Sequence, residues 1–207
     1  MIKFIIFLLI VLLNYTSAFG RNVGETEITT EDGIEVFQEE KYYLLKKNVE
    51  IVSDDFELNG NLVKIYFEKD LYDIQKLVAS TNVNFKSSSH NIKGKGKSLK
   101  FNIKNETINV TGEGSELFLE STDMFSDGSI TVDNLEGSFS IKGSNSKLIS
   151  DDIFITGFVI NGVLSNVNGT REISNLEVQD ENILSIITED TEMFSKKAFY
   201  DREKSII

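Results

Sequence analysis

Most of the chain alternates between apolar and polar side chains, and this period of two limits its fold more than any other feature. Residues 99–104, 107–111 and 129–133 alternate without a break. Successive side chains of a β-strand point to opposite faces, so each of these segments has one apolar and one polar face. Antiparallel sheets with one solvated face have this pattern, whereas buried parallel strands are apolar throughout. The sequence therefore predicts an all-β fold of antiparallel strands.

Clusters of glycine and asparagine interrupt the alternating segments. Such clusters are typical of turns, and their spacing of roughly 8 to 14 residues is typical of a β-sandwich or an open barrel. We expect turns at these places: 59–61, 94–96, 112–114, 127–128 and 143–145.

A weak internal repeat accompanies the alternation. The segments 74–85, 108–119 and 139–150 begin 34 and 31 residues apart, and each reads as a strand, a polar or glycine-containing turn and a second strand. Strand pairs that each bury one face obtain a continuous core only by stacking on their neighbours. The repeat therefore favours an elongated β body.

The N-terminus has the order of a secretory signal peptide. Lys3 precedes the unbroken apolar run 4–13, and small or polar residues follow as far as Ala18. A membrane span would need about 20 apolar residues, so the pattern predicts a cleaved signal peptide at 1–18 and export to the periplasm, with a retained short anchor as the alternative. The alternation continues to residue 160. We therefore predict a β domain over 19–160 and a C-terminal extension over 161–207, for which the start of a further β unit is one interpretation.

The composition excludes much chemistry. The chain has no cysteine and one histidine, and its 33 acidic and 21 basic side chains give a net charge of −12. Disulfides, thiolate metal sites and cysteine nucleophiles are therefore absent, and nucleic acid is disfavoured as a partner because phosphate binding depends on lysine and arginine. We expect no cofactor, no metal site and no catalytic residue.

Two polar segments have alternative interpretations. His90 follows three serines, which indicates an exposed residue in a polar linker rather than a catalytic dyad. The lysines of 93–100 are interpreted as solubilising residues of a hairpin turn, with contact to anionic head groups or to an acidic partner as the alternative.

The apolar positions of the alternating segments are expected to share one interior. If the sheets pack tightly, these residues form an ordinary core; if the sheets splay, they line an apolar groove that can hold acyl chains. The candidates are Val49, Ile51, Phe56, Leu58, Ile65, Phe67, Val83, Phe85, Leu99, Phe101, Ile103, Ile108, Val110, Leu117, Ile130, Val132, Phe139 and Ile141.

The region 33–157 resembles the OstA-like family of lipopolysaccharide transport proteins, which includes LptA, the soluble part of LptC and the N-terminal part of LptD. The resemblance is carried by degenerate β motifs and not by a catalytic signature. These motifs are 34–37 with 47–51, 58–67, 74–85 with its Thr81-Asn82-Val83 step, 112–117 and 124–134.

The resemblance implies a slotted, elongated β-jelly roll of antiparallel strands that binds lipid A acyl chains in its slot, without catalysis. It also implies partners: lipopolysaccharide or a related glycolipid, and LptC-like, LptD-like or identical chains that pair edge strand to edge strand across the periplasm. The absence of proline fits such pairing, because proline on an edge strand blocks it. The alternative is a structural or adhesive β-repeat protein with a fully packed interior; an envelope enzyme is a third hypothesis.

Overall fold

The computed structural model describes residues 23–69, 73–151, 153–202 and 204. The predicted signal peptide lies outside the described residues. The described chain consists of strands and turns, and every strand pairing is antiparallel, which confirms the all-β prediction. The strands are β1 (Glu27–Thr29), β2 (Ile34–Phe37), β3 (Tyr42–Val52), β4 (Phe56–Phe67), β5 (Ile74–Ser87), β6 (Ile92–Asn102), β7 (Thr107–Thr111), β8 (Ser115–Leu119), β9 (Thr122–Ser126), β10 (Ser129–Asp133), β11 (Ser138–Lys142), β12 (Lys147–Ser150), β13 (Ile153–Thr156), β14 (Val159–Val167), β15 (Thr170–Ile187) and β16 (Glu192–Asp201).

The strand registers divide the sheet into two layers. Layer A contains, in spatial order, β2, 42–46, 62–67, 74–80, 98–102, β7, β10, β11, β14, 170–179 and 197–201. Layer B contains β1, 49–52, 56–60, 83–87, 92–96, β8, β9, β12, β13, 184–187 and 192–195. The chain therefore crosses between the layers once along each long strand or pair of short strands. We call this line of crossings the bend.

Two kinds of crossing alternate along the chain. In one kind the backbone uses left-handed residues: Lys47 and Asn48 with φ of 59° and 46°, and Thr81 and Asn82 with φ of 66° and 55°. The regions 112–114 and 143–145 contain the equivalent residues of the next two crossings of this kind. Two crossings make one cycle from layer A to layer B and back, which is the physical origin of the repeat of 31 to 34 residues.

The other kind of crossing contains a glycine, and at three of the four crossings of this kind two segments approach closely at that glycine. These glycines are Gly60, Gly96, Gly128 and Gly157. A Cβ atom on Gly128 would lie 2.2 Å from the carbonyl oxygen of Lys142, and one on Gly96 would lie 2.6 Å from Cγ1 of Val110. Only glycine fits this close approach without a shift of the backbone or of a packed side chain.

Two of the predicted turns are therefore wrong, because 59–61 lies inside β4 and 94–96 lies inside β6. The glycines there have a different role. Gly94 is paired with Phe85 on β5, and a Cβ atom on Gly94 would lie 2.7 Å from Cε1 of that ring. The ring occupies the space that a side chain at position 94 would need. A glycine in the sequence does not by itself show whether it lies in a turn or beside such a ring.

The segment 161–207, expected to be an extension, supplies the end of β14 and all of β15 and β16. These strands continue both layers: β14 pairs with β11, and β15 pairs with both β14 and β13. Ile173, Leu176 and Leu184 lie in the same buried cluster as Leu45 and Val49 near the other end. One core thus runs from β3 to β15, between the layers.

The glycine crossings give the first prediction. Gly128→Ala should lower the free energy of unfolding by about 1–3 kcal/mol, because its Cβ meets a backbone carbonyl that cannot rotate away. Gly60→Ala is the matched control, since its Cβ would lie 3.7 Å from the nearest atom, Cβ of Ala79, at the same kind of crossing. Urea unfolding of both variants measures the difference, and equal destabilisation would contradict this role of the glycine.

Asp127 links three neighbouring crossings. Its Oδ1 accepts from the Gly114 backbone N–H at 3.0 Å, and its Oδ2 accepts from Nδ2 of Asn145 at 2.5 Å. The hydrogen bond from Asn145, and then that from Gly114, hold the pKa of Asp127 below its usual value. Its contribution to stability is therefore present above the unfolded-state pKa of about 3.9 and is lost as the pH falls through the lower folded-state pKa.

The second prediction follows from this shift. Asp127→Asn should lower the Tm at pH 6, and the gap to the unsubstituted protein should close as the pH falls below about 4. Thermal unfolding followed by circular dichroism between pH 2 and pH 6 measures it, with the exposed Asp190→Asn as a control of equal charge change. A gap that stays constant over this range would contradict the assignment.

Candidate functional site

The space between the layers contains nearly all of the predicted interior residues. Fifteen of the eighteen are buried there, and Phe56 and Phe101 are half-buried. Ile103 is 38% exposed and lies in the turn after β6. The predicted residues thus share one interior, but some parts of this interior are tightly packed and others contain a cavity.

The middle of the interior is densely packed. Leu117 of layer B lies in the same buried cluster as Val110, Ile130 and Ile141, which are neighbours on layer A, and all four of these side chains are 0% exposed. They come from β7, β8, β10 and β11, so both layers contribute. At this level the two layers contact each other directly.

A cavity of about 330 Å³ opens towards the N-terminal end of the interior, and we call it the N-terminal cavity. For scale, a cavity of about 150 Å³ holds a benzene ring. The rings of Phe56 on layer B and Phe101 on layer A stack at 6.0 Å across it. Polar groups lie at its mouth, and its lining includes Ile51, Ile65, Ile74, Leu77, Ile103, Ser87, His90 and Glu106.

A smaller cavity of about 170 Å³ lies at the C-terminal end, and we call it the C-terminal cavity. Its apolar lining includes Ile155, Ile173 and Met193. Its mouth has charged groups, among them Glu172 and Arg202, which form an ion pair. The hydrogen bond from Arg202 to Glu172 raises the pKa of this arginine.

Between the two cavities, polar side chains join the layers along the edge opposite the bend. We call this edge the lip; it includes the turns 88–91 and 120–121 of layer B and 103–106, 134–137 and 168–169 of layer A. At the lip, Nε2 of His90 lies 3.5 Å from Oε2 of Glu106. The same carboxylate oxygen accepts from Nδ2 of Asn134 at 2.5 Å.

Arg171 continues this chain of contacts across the lip. Its Nη1 donates to Oδ1 of Asn134 at 2.6 Å, and its Nη2 donates to the Asn134 carbonyl at 3.1 Å. Its backbone N–H donates to Oε2 of Glu120 at 3.1 Å, and its Nε lies 3.8 Å from Oε1 of that residue. Because Glu120 belongs to layer B, these contacts connect the layers over the packed middle.

Sequence reasoning missed this lip network. His90 was expected to be an exposed linker residue, but its side chain is 29% exposed, and its Nδ1 lies 2.9 Å from Oγ of Ser87. The partners of His90 and Arg171 lie 16 and 51 residues away along the chain, at Glu106 and Glu120. No local signal reports pairs at that separation. The described residues contain no group of three His, Asp or Glu side chains that could hold a metal ion.

Comparison with known proteins identifies the family. A family model described as "LptA/(LptD N-terminal domain) LPS transport protein" matches residues 30–138, just over half of the chain. The chain belongs to this family. The match runs from the residues before β2 to the start of β11, and so includes the four long bent strands β3 to β6 and most of the residues that line the N-terminal cavity.

Among solved structures, LptH from Pseudomonas aeruginosa, the LptA homologous periplasmic component of a lipopolysaccharide transport device, matches 53% of this chain and 76% of its own. Its identity is 11% and its TM-score is 0.45. No curated protein matches the chain. In the described part of the protein, no helix is long and apolar enough to cross a membrane. Membership of the lipopolysaccharide transport family supports a periplasmic transport role, and we call the space between the layers the slot from here on.

The third prediction concerns the lip. Arg171→Ala removes the side-chain contacts across the lip and should loosen the contact between the layers. Amide hydrogen exchange should accelerate at residue 171, whose N–H donates to Glu120, and at residues 119–121. Arg202→Ala is the matched control, because Arg202 pairs with Glu172 and both lie on layer A. Hydrogen exchange followed by mass spectrometry measures the change. Equal acceleration at 119–121 in both variants would contradict a bridging role for Arg171.

Proposed function

We propose that this protein carries lipopolysaccharide through the periplasm and holds its acyl chains in the slot, without a covalent step. Membership of the lipopolysaccharide transport family supports lipopolysaccharide as the lipid that is carried. The N-terminal cavity is the observation that carries the proposal for the site, because it joins an apolar lining to a polar mouth at the lip. An amphipathic lipid matches this arrangement, with chains inside and head group at the lip.

The volumes indicate how the slot accommodates a lipid. A cavity of about 330 Å³ holds part of an acyl chain, and the middle of the slot is filled by side chains. A lipid with several chains therefore requires the layers to separate at the lip. Each methylene moved out of water contributes about 0.8 kcal/mol, whereas each lip hydrogen bond contributes about 1 kcal/mol. Ten methylenes thus outweigh the loss of the lip network.

We also propose that the terminal strands pair with LptC-like, LptD-like or identical chains to bridge the two membranes. Within the described residues, β16 pairs with β15 alone. Phe194 and Phe199 on β16 are 58% and 52% exposed. An unpaired strand edge with exposed apolar side chains is suited to β-augmentation.

The fourth prediction tests the lipid site. Phe101 faces the N-terminal cavity. Phe101→Glu should reduce the lipopolysaccharide that co-purifies with the protein at least tenfold, because a carboxylate in an apolar site opposes acyl chains. Ser140→Glu introduces the same charge on the outer face of β11, away from the cavity, and should leave the lipid unchanged. Mass spectrometry of extracted lipid measures both.

Photo-crosslinking locates the lipid directly. A photoreactive residue at position 101 should capture lipopolysaccharide, one at Ile141 should do so only when the layers separate, and one at the outward Thr131 should not. Capture at neither 101 nor 141 would overturn the carrier proposal and favour a structural β-repeat protein with a packed interior.

A further inference from the structure

The outer face of layer A changes character along its length. Across β7, β10, β11 and β14 most outward residues are serine, threonine or asparagine, as in the paired row Asn109, Thr131, Ser140 and Asn161. Across β3 to β6 most outward residues of layer A are instead apolar, aromatic or basic, with Ser80, Ser98 and Asn102 as exceptions. We call this second region the Lys–Tyr face; it comprises Phe37, Tyr42, Leu44, Lys46, Leu62, Lys64, Tyr66, Lys76, Val78 and Lys100.

Aromatic rings hold two of the lysines in place. Nζ of Lys64 lies 4.7 Å from the centre of the Tyr42 ring, and Nζ of Lys76 lies 4.0 Å from the centre of the Tyr66 ring. The two tyrosine rings are neighbours at 5.5 Å, and Phe37 stacks on Tyr42 at 4.6 Å. Such cation–π contacts fix the ammonium groups on the surface without neutralising them.

The charge of this face is positive although the chain as a whole has a net charge of −12. Lys64 and Lys100 are both paired with Val78, and Lys76 is paired with Tyr66 and Asn102, so their strand neighbours carry no charge. Among the described residues, none of these three lysines has a carboxylate within ion-pair distance, while Lys46 pairs with Glu35 at 2.6 Å. Three uncompensated cations therefore share one flat surface.

We propose that the Lys–Tyr face binds an anionic membrane surface and so places the slot beside the bilayer. Lysine is depleted in protein–protein interfaces, whereas lysine combined with tyrosine is typical of residues at a membrane–water interface. The net charge of the chain is negative and is repelled by anionic lipids, which favours an orientation with this positively charged face towards the membrane.

The Lys–Tyr face lies on the opposite side of the strands that line the N-terminal cavity. Tyr66, Lys76 and Lys100 alternate along their strands with Ile65, Leu77 and Phe101, which line the N-terminal cavity from inside. The cavity therefore lies one sheet thickness from the bound membrane. This inference extends the proposed function, because it places the opening of the slot where a membrane lipid enters or leaves.

The experiment is flotation of the full chain with vesicles that contain no lipopolysaccharide. Vesicles of phosphatidylcholine with about 30% phosphatidylglycerol should bind the protein, and binding should fall steeply between 50 mM and 500 mM salt. Each lysine near an anionic surface contributes about a fivefold increase in partitioning. The triple variant Lys64→Gln, Lys76→Gln, Lys100→Gln should therefore bind about 100-fold more weakly.

The control is a second triple variant with three lysines replaced outside the face: Lys142→Gln, Lys147→Gln and Lys196→Gln. It changes the net charge by the same amount as the first triple variant and should bind as the unsubstituted chain does. The N-terminal segment is common to all variants, so it affects them equally. Equal loss in both triple variants, or no binding to anionic vesicles, would overturn the inference. Capture on immobilised polyglutamate without vesicle binding would assign the face to an acidic protein and would also overturn it. Lipid capture at position 101 in the first triple variant would leave the carrier proposal intact.

Discussion

The bend between the layers is the constraint on which the other features of this structure depend. Each strand must leave one layer and enter the next within two or three residues while its neighbours do the same about 4.8 Å away. The chain satisfies this with two alternating solutions, left-handed residues such as Thr81 and Asn82, and glycines such as Gly128 whose Cβ would collide with a carbonyl. Hydrogen bonds such as those of Asp127 then connect successive crossings.

Because the layers are covalently joined at the bend, their freedom to separate is concentrated at the lip. There the contacts are polar and partly exposed, from His90 and Glu106 to Arg171 and Glu120. Polar contacts of this kind are weak in net free energy, whereas the apolar interior is strongly favourable. Opening at the lip therefore costs little in polar contacts, whereas the apolar contacts between the layers must be replaced by those of an entering acyl chain.

The two faces of the strands have separate roles in this arrangement. The inner residues form the slot, and the outer residues of β3 to β6 form the Lys–Tyr face. The N-terminal cavity of the slot and the Lys–Tyr face are both formed mainly by β3 to β6, which lie within the region matched to the lipopolysaccharide transport family. A lipid and a membrane would thus be contacted by opposite sides of the same strands, so that docking and transfer occur at one place.

The sequence by itself determined the all-β class, the antiparallel pairing and the shared interior, because the period of two fixes which side chains lie on one face. It also contained the period of about 32 residues, since each cycle through the bend needs the same backbone. Only the tertiary structure decided that Gly60 and Gly94 lie within strands, and at Gly94 the close neighbour Phe85, not the local sequence, requires the glycine. It alone also brought His90 to Glu106 and Arg171 to Glu120, and placed Lys64, Lys76 and Lys100 together, because strand register sets contacts between residues distant in sequence.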